Sequence, residues 1–267
     1  MSLFDIGVNL ADKRFNKDRT LVVKRAIEAG VTHQLITCTT LSSSEQAISL
    51  CRNLGTQFPR ALYSTVGVHP HHADDVTPDM LKQLHQLALT PCVKAIGEMG
   101  LDFNRNFSTP SNQRSVFEKQ LELAIEIQKP VFLHQRDAHR DFFDILKSYR
   151  SELSGGVVHC FTDSEAALQD YLSLDMHIGI TGWVCDERRG TPLANIVHRI
   201  PLNRLLIETD APYLTPRTLK PKPKSGRNEP AFLPEVVKTL AQCYQMPSET
   251  IAQASFNNAM QLFAIDS

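Results

Sequence analysis

The chain has 267 residues, a hydrophobic fraction of 42% and a formal net charge of -1. That length suits one α/β domain over residues 1–267 with an ample core. The near-neutral balance excludes a general polyanion binder, so any contact with nucleic acid must come from a local basic patch. The six cysteines, Cys38, Cys51, Cys92, Cys160, Cys185 and Cys243, form no C-x-x-C pair and lie in separate elements. This fits reduced thiols in the cytoplasm better than a disulfide framework. The start, MSLFDIGVNL, lacks a charged leader, and no apolar run reaches transmembrane length. The expectation is a soluble, cytoplasmic monomer with no membrane association.

Predicted strands and helices alternate along the chain. LFDIGVNL is a first strand, and residues 18–29 form a helix stopped by Gly30. HQLITCT is the second strand, followed by a helix over residues 42–54 that ends at Gly55. LYSTVGV runs into His69-Pro70, and Pro78 opens a third helix at its first turn. VKAIGE is the fourth strand; a loop, LDFNRNFSTP, leads to a long amphipathic helix from about residue 111 to residue 128. VFLH, a helix near 138–149, VVHCF, and a helix near 164–174 continue the order. HIGITGW, a short helix near 192–199, and LLIETD complete eight strands, and helices over 234–244 and 248–263 close the chain. Eight strand–helix units without a composition break favour a closed (β/α)8 TIM barrel over an open sheet. No G-x-G-x-x-G or Walker-type loop is present, which weighs against a nucleotide-cofactor fold.

Four of the apolar runs end on residues that bind metals or move protons: Glu98, His134, His159 and Asp210. One such residue is ordinarily a hydrogen-bonded core group or a turn former. Four at the same end of four strands point to one site, because barrel chemistry sits at the C-terminal strand ends. Period-two alternation puts Ile96 with Glu98, Phe132 with His134, Val157 with His159 and Leu206 with Asp210 on shared faces. Glu98, His134 and His159 are the expected ligands of a divalent ion with open positions. Asp210 is placed to accept a proton from the attacking water or to ligate a second ion. Glu208 shares that face but lies lower, either as a buried partner of an Arg or of backbone amides or in a direct role. His69, ending the third strand, is a candidate to hydrogen-bond a phosphate or to act as a general acid; His71 and His72 are expected in solvent.

The segments FDIGVNL, VGVHPH, AIGEMGLDFNRNFSTP, KPVFLHQRDAH, HCFT, IGITGWVCDERRG, LLIETDAPYL and RNEPAFLP span nearly the whole chain. In that order they resemble the TatD family of metal-dependent deoxyribonucleases, most closely its exonuclease branch. GLDF, HCFT and ETDAPYL are specific in combination. The resemblance implies a metallo-dependent hydrolase barrel acting as a 3′→5′ exonuclease on single-stranded DNA, with RNA as a further candidate. It implies that Glu98, His134 and His159 hold metal and that Asp210 belongs to the catalytic centre. It favours Mg²⁺, while two imidazoles also suit Mn²⁺ or Zn²⁺. One departure matters. The broader family carries His-x-His at the end of the first strand, where this chain has Gly7 and Asn9. Gly7 offers no donor and Asn9 only a weak carbonyl ligand, so either one ion suffices or a second binds loosely with help from substrate.

Beyond the eighth strand, TPRTLKPKPKSGRNEP carries Arg217, Lys220, Lys222, Lys224 and Arg227 on a proline-stiffened segment. Lys220, Lys222, Lys224 and Arg227, with Arg188, Arg189, Arg136 and Asn9, are the candidate substrate contacts. Phe103, Phe107 and Trp183 are candidates to stack on bases, though core packing is the commoner role of aromatics. Two other functions remain open. The same site could hydrolyse another ester or amide, such as an aminoacyl-tRNA ester. A non-catalytic nucleic-acid-binding protein with a decayed site is disfavoured by the intact Glu98, His134, His159 and Asp210.

Overall fold

The computed structural model of the protein describes residues 2–265. The eight apolar runs become parallel strands in sequential order: β1 Leu3–Val8, β2 Val31–Ile36, β3 Leu62–Val66, β4 Val93–Asp102, β5 Val131–Arg136, β6 Gly156–Val158, β7 His177–Ile180 and β8 Leu205–Ile207. Parallel neighbours require crossovers, and helices supply them: α1 Arg19–Glu28, α2 Leu41–Gly55, α3 Pro78–Ala88, α4 Pro110–Ile127, α5 His139–Tyr149, α6 Glu165–Ser173 and α7 Thr191–Ile196. After β8 come α8 Leu233–Tyr244 and α9 Ser248–Leu262. The result is a nearly closed TIM barrel, as the alternation predicts. Helix starts follow local chemistry. Thr40 and Ser43 cap α2 reciprocally, and Thr77 caps α3 ahead of Pro78.

Phe4, Ile6, Leu35, Ala95, Phe132, Val157 and Leu206 fill the barrel interior, and Phe263 closes its floor with its ring 5.9 Å from Phe4. The outward faces of the strands, including Ile96, Met99 and Leu101, pack against helix residues such as Leu84, Phe117 and Leu121. Ile96 therefore does not share a face with Glu98, contrary to the period-two expectation. The register of β4 against β5 moves from Ile96↔Val131 to Met99↔Leu133, one extra residue on β4. That bulge inverts the alternation and turns Glu98 into the mouth. The strand then continues to Asp102, where the sequence reading placed a loop.

The barrel seam is made above the short β8. Val8 bridges Ala211, the Asp210 amide donates to the Gly7 carbonyl at 2.8 Å, and the Asn9 amide donates to the Ala211 carbonyl at 2.8 Å. Below it, the buried Asp5 carboxyl accepts from the Thr209 amide at 2.9 Å and from its hydroxyl at 2.5 Å. Burial pushes the Asp5 carboxyl up to about 7, against the bonds from Thr209 and Gly7. An acid whose pKa rises on folding stabilises the folded state when protonated. Its contribution is full below the unfolded value near 4 and is lost as pH rises through about 7. Asp5→Asn keeps an acceptor for the Thr209 amide and removes the titration. The variant's thermal midpoint should therefore improve relative to the unmodified protein as pH rises from about 4 to about 7. A difference that stays constant across paired thermal melts would exclude this role.

Two buried amides of α4 support the strand ends. Gln120 accepts from the Val68 amide at 2.7 Å and donates to the Val68 carbonyl at 3.0 Å. Gln113 accepts from the Asp102 amide at 2.9 Å and donates to the Asp102 and Ser108 carbonyls. Each satisfies backbone groups that no neighbouring strand reaches.

Candidate metal centre and active site

Glu98 is the hub of the mouth. Its Oε1 lies 2.8 Å from His159 Nε2, 2.9 Å from His134 Nδ1 and 3.4 Å from His69 Nε2. Burial alone would push its carboxyl up, but the charges of His159 and His69 and the bonds from His134 and His159 hold it well below the usual range. His159 is the mirror case. Burial opposes its charge, yet Glu98 and Glu208 on either side raise it well above an ordinary imidazole. Burial takes His69 the other way, down to about 4.

Donor atoms of His69, Glu98 and His134 all lie within 4.8 Å of one another. His69 thus joins the donor group, whereas the sequence reading held it for phosphate or proton chemistry. His159 meets the same Glu98 oxygen and is braced behind, its Nδ1 being 3.3 Å from Glu208 Oε2. A carboxylate behind a histidine fixes the ring and its tautomer, as in carboxylate–histidine–metal arrangements. His134 Nε2 is buried without a hydrogen-bond partner, and its 3.5 Å separation from Asp102 Oδ2 is too long for a good bond. A neutral imidazole has one N–H and one lone pair, yet both ring nitrogens of His159 face carboxylate oxygens, of Glu98 and Glu208, so one of those contacts calls for an added proton or a metal ion. The donor set fits a divalent ion.

Asp210 sits beside this group at the seam. Its Oδ1 accepts from Asn9 Nδ2 at 2.9 Å. Burial, together with Glu98 and Glu208, pushes its carboxyl up to about 7 against the pull of His159. Asn9 was expected to meet substrate or metal; here its amide orients Asp210.

The family model described as TatD related DNase matches residues 4–264. The chain belongs to the TatD family. It is 48% identical over 263 residues to the 3′-5′ ssDNA/RNA exonuclease TatD of Edwardsiella piscicida, covering 98% of this chain and 100% of that one. The protein of the same name from Erwinia amylovora (strain ATCC 49946 / CCPPB 0273 / Ea273 / 27-3) is 49% identical, with the same coverage. Among solved structures, a TatD family hydrolase from Entamoeba histolytica superposes with a TM-score of 0.90 at 27% identity, covering 98% of each chain. A TatD homologue from Escherichia coli K12 gives 0.88 at 28% identity, covering 99% of this chain and 98% of that one.

The family's missing first-strand imidazole has a physical explanation in this TatD chain. A Cβ at Gly7 would lie 2.1 Å from Glu208 Oε2, and one at Gly179 would lie 2.7 Å from Glu208 Oε1. The two glycines form a cradle for the Glu208 carboxylate, which is fully buried. There it accepts from the Cys160 amide at 2.5 Å and faces His159. Glu208 is therefore a buried partner of His159 and a backbone amide.

Two residues of the site escaped the sequence reading. Asp102 is 1% exposed; its Oδ2 is 2.7 Å from His71 Nε2, and its Oδ1 accepts from the Asn104 and Arg105 amides. Burial opposes its ionisation, yet His134, the Arg105 amide and His71 hold its carboxyl far below the ordinary range. His71 is correspondingly half-buried in that pair rather than solvated. A signal was present: in Glu98-Met99-Gly100-Leu101-Asp102, apolar residues alternate with polar or small ones, a strand pattern running past the expected end.

The basic residues divide. Arg136, Lys220, Lys222 and Lys224 are exposed. Arg188 and Arg189 have side chains 62% and 60% exposed, both leaning on Asp186, with Arg189 stacked over Trp183. Arg227 does not join them. Its guanidinium bonds Asp18 at 2.8 Å and Glu229 at 2.7 Å and lies over the Phe15 ring, so it anchors the base of the loop instead of presenting charge to substrate.

Proposed function

We infer that the protein is a metal-dependent 3′→5′ exonuclease that hydrolyses phosphodiester bonds of single-stranded DNA and of RNA. The observation that carries this reading is a buried carboxylate, Glu98, met by three imidazoles at the C-terminal strand ends of a TatD-family barrel. The near full-length relatives named as ssDNA/RNA exonucleases support it.

Glu98, His134, His159 and His69 would hold the ion, Mg²⁺ by family resemblance. A divalent cation bound there supplies charge to the phosphoryl oxygen and lowers the pKa of a water nucleophile. Glu208 keeps His159 in one tautomer and ring orientation. Asn9 aims the Asp210 carboxylate, which takes the proton of the attacking water. Arg136, Arg188 and Arg189, whose side chains are exposed, would meet substrate phosphates. Among the described residues the cysteines are unpaired and no helix is long and apolar enough to cross a membrane; a cytoplasmic location accords with both.

The test uses a 5′-labelled single strand, with the protein stripped by chelator and resupplied with one metal at a time. Progressive shortening from the 3′ end that requires the added ion is expected. Intact strands together with release of amino acid from charged tRNA would favour the ester-hydrolase alternative.

The exposed lysines give a separate prediction. Each neutralised phosphate on a single strand contributes about 0.7 to the log–log salt slope. Changing Lys220, Lys222 and Lys224 to Ala should weaken binding and flatten that slope by about 2, with little change in saturated turnover. An unchanged slope would make the loop ordinary solvated surface.

A further inference from the structure

Two exposed aromatic rings flank the mouth. Phe107, in the loop between β4 and α4, is 67% exposed, and Tyr213, just beyond Asp210, is 49% exposed. The strands follow one another around the barrel in order 1 to 8, so the loops after β4 and β8 face each other across the opening. Exposed rings of this size lose contact with apolar neighbours, yet both are held in place. The backbone beside Phe107 is pinned by Ser108, whose hydroxyl donates to the His71 carbonyl at 3.0 Å and accepts from the Asp74 amide at 3.1 Å. Tyr213 donates its amide to the Asp210 carbonyl at 2.9 Å and accepts from Asn228 Nδ2 at 2.6 Å. Its ring is backed by the Arg14 guanidinium at 4.1 Å, itself fixed by Asp12. The other aromatics near this face are occupied. Phe103 packs on the core beneath Arg114, and Trp183 packs there beneath Arg189.

A single strand of arbitrary sequence offers a protein only two constant features, its phosphates and the π faces of its bases. We propose that Phe107 and Tyr213 are the base-stacking platforms of this site, Phe107 taking the 3′-terminal base and Tyr213 the base before it. The assignment follows from position. The Phe107 ring is 4.8 Å from the His71 ring, which bonds Asp102 beside His134, so Phe107 borders the donor group itself. Tyr213 opens the segment that leads to the exposed Lys220, Lys222 and Lys224, where the rest of the strand would run. The inference rests on the exonuclease reading and adds to it how a substrate end is gripped without sequence preference.

The test compares oligothymidylate with strands carrying an abasic residue at the terminal or the penultimate position. Phe107→Ala should raise KM roughly ten- to hundredfold on the intact strand. It should change KM little when the terminal base is already absent, and Phe107→Trp should restore it. Tyr213→Ala should show the same selectivity for the penultimate base. Both positions are exposed, so folding is not at risk, and kcat should move less than KM. Equal KM penalties on abasic and intact strands, or none, would overturn the proposal while leaving the exonuclease reading standing. Failure of the unmodified protein to shorten any strand would remove both.

Discussion

Glu98→Gln is expected to lower turnover by about a thousandfold or more, since a catalytic ion contributes several kcal/mol and each 1.36 kcal/mol is a factor of ten. Gln keeps the size of the side chain but removes the charge that three imidazoles share. Metal content after gel filtration should fall with activity. The fold should persist, because the Gln side chain fills the same buried space and still offers a carbonyl oxygen to His134 and His159. Far-UV circular dichroism and a thermal melt check that part. A variant retaining both ion and turnover would remove Glu98 from the centre of the site.

Asp210→Asn should separate chemistry from metal binding. Asn preserves the shape that Asn9 holds but cannot accept a proton. Loss of a positioned general base costs roughly 10²- to 10⁴-fold, with KM and bound metal nearly unchanged. If the variant loses its ion in proportion to its activity, Asp210 is a ligand and the proton acceptor must be sought elsewhere.

Much of this site is legible in the sequence, because a polar residue at the end of an uninterrupted apolar run has few other places to go. Glu98, His134, His159 and Asp210 are found that way, and the seam and the donor group bring them together. The face of Glu98 is not legible by alternation, since a one-residue bulge in β4 reverses the pattern. Asp102 escaped because Asn104, Arg105 and Asn106 give its neighbourhood the composition of a loop, although β4 extends to it. His71 and Arg227 escaped for a different reason. Their partners, Asp102 and Asp18, are distant in sequence, so charge and apparent exposure mislead until the chain is folded. The role of Gly7 is of the same kind. A glycine where the family has histidine reads as a missing ligand, and only the packed barrel gives its space to Glu208.

Gln113 and Gln120 turn α4 into a ruler. The ends of β3 and β4 are each clasped by a side chain of the same helix, and the two clasps are separated by about 10 Å of helical rise. The spacing between the His69 and Asp102 arms of the site is thereby inherited from the pitch of an α-helix, not from the loops that join the elements. Those loops are free to lengthen or change composition while the spacing holds. A single residue inserted into α4 between the two glutamines would swing one clasp about 100° around the helix and uncouple the two arms, leaving every residue of the donor group in place in the sequence.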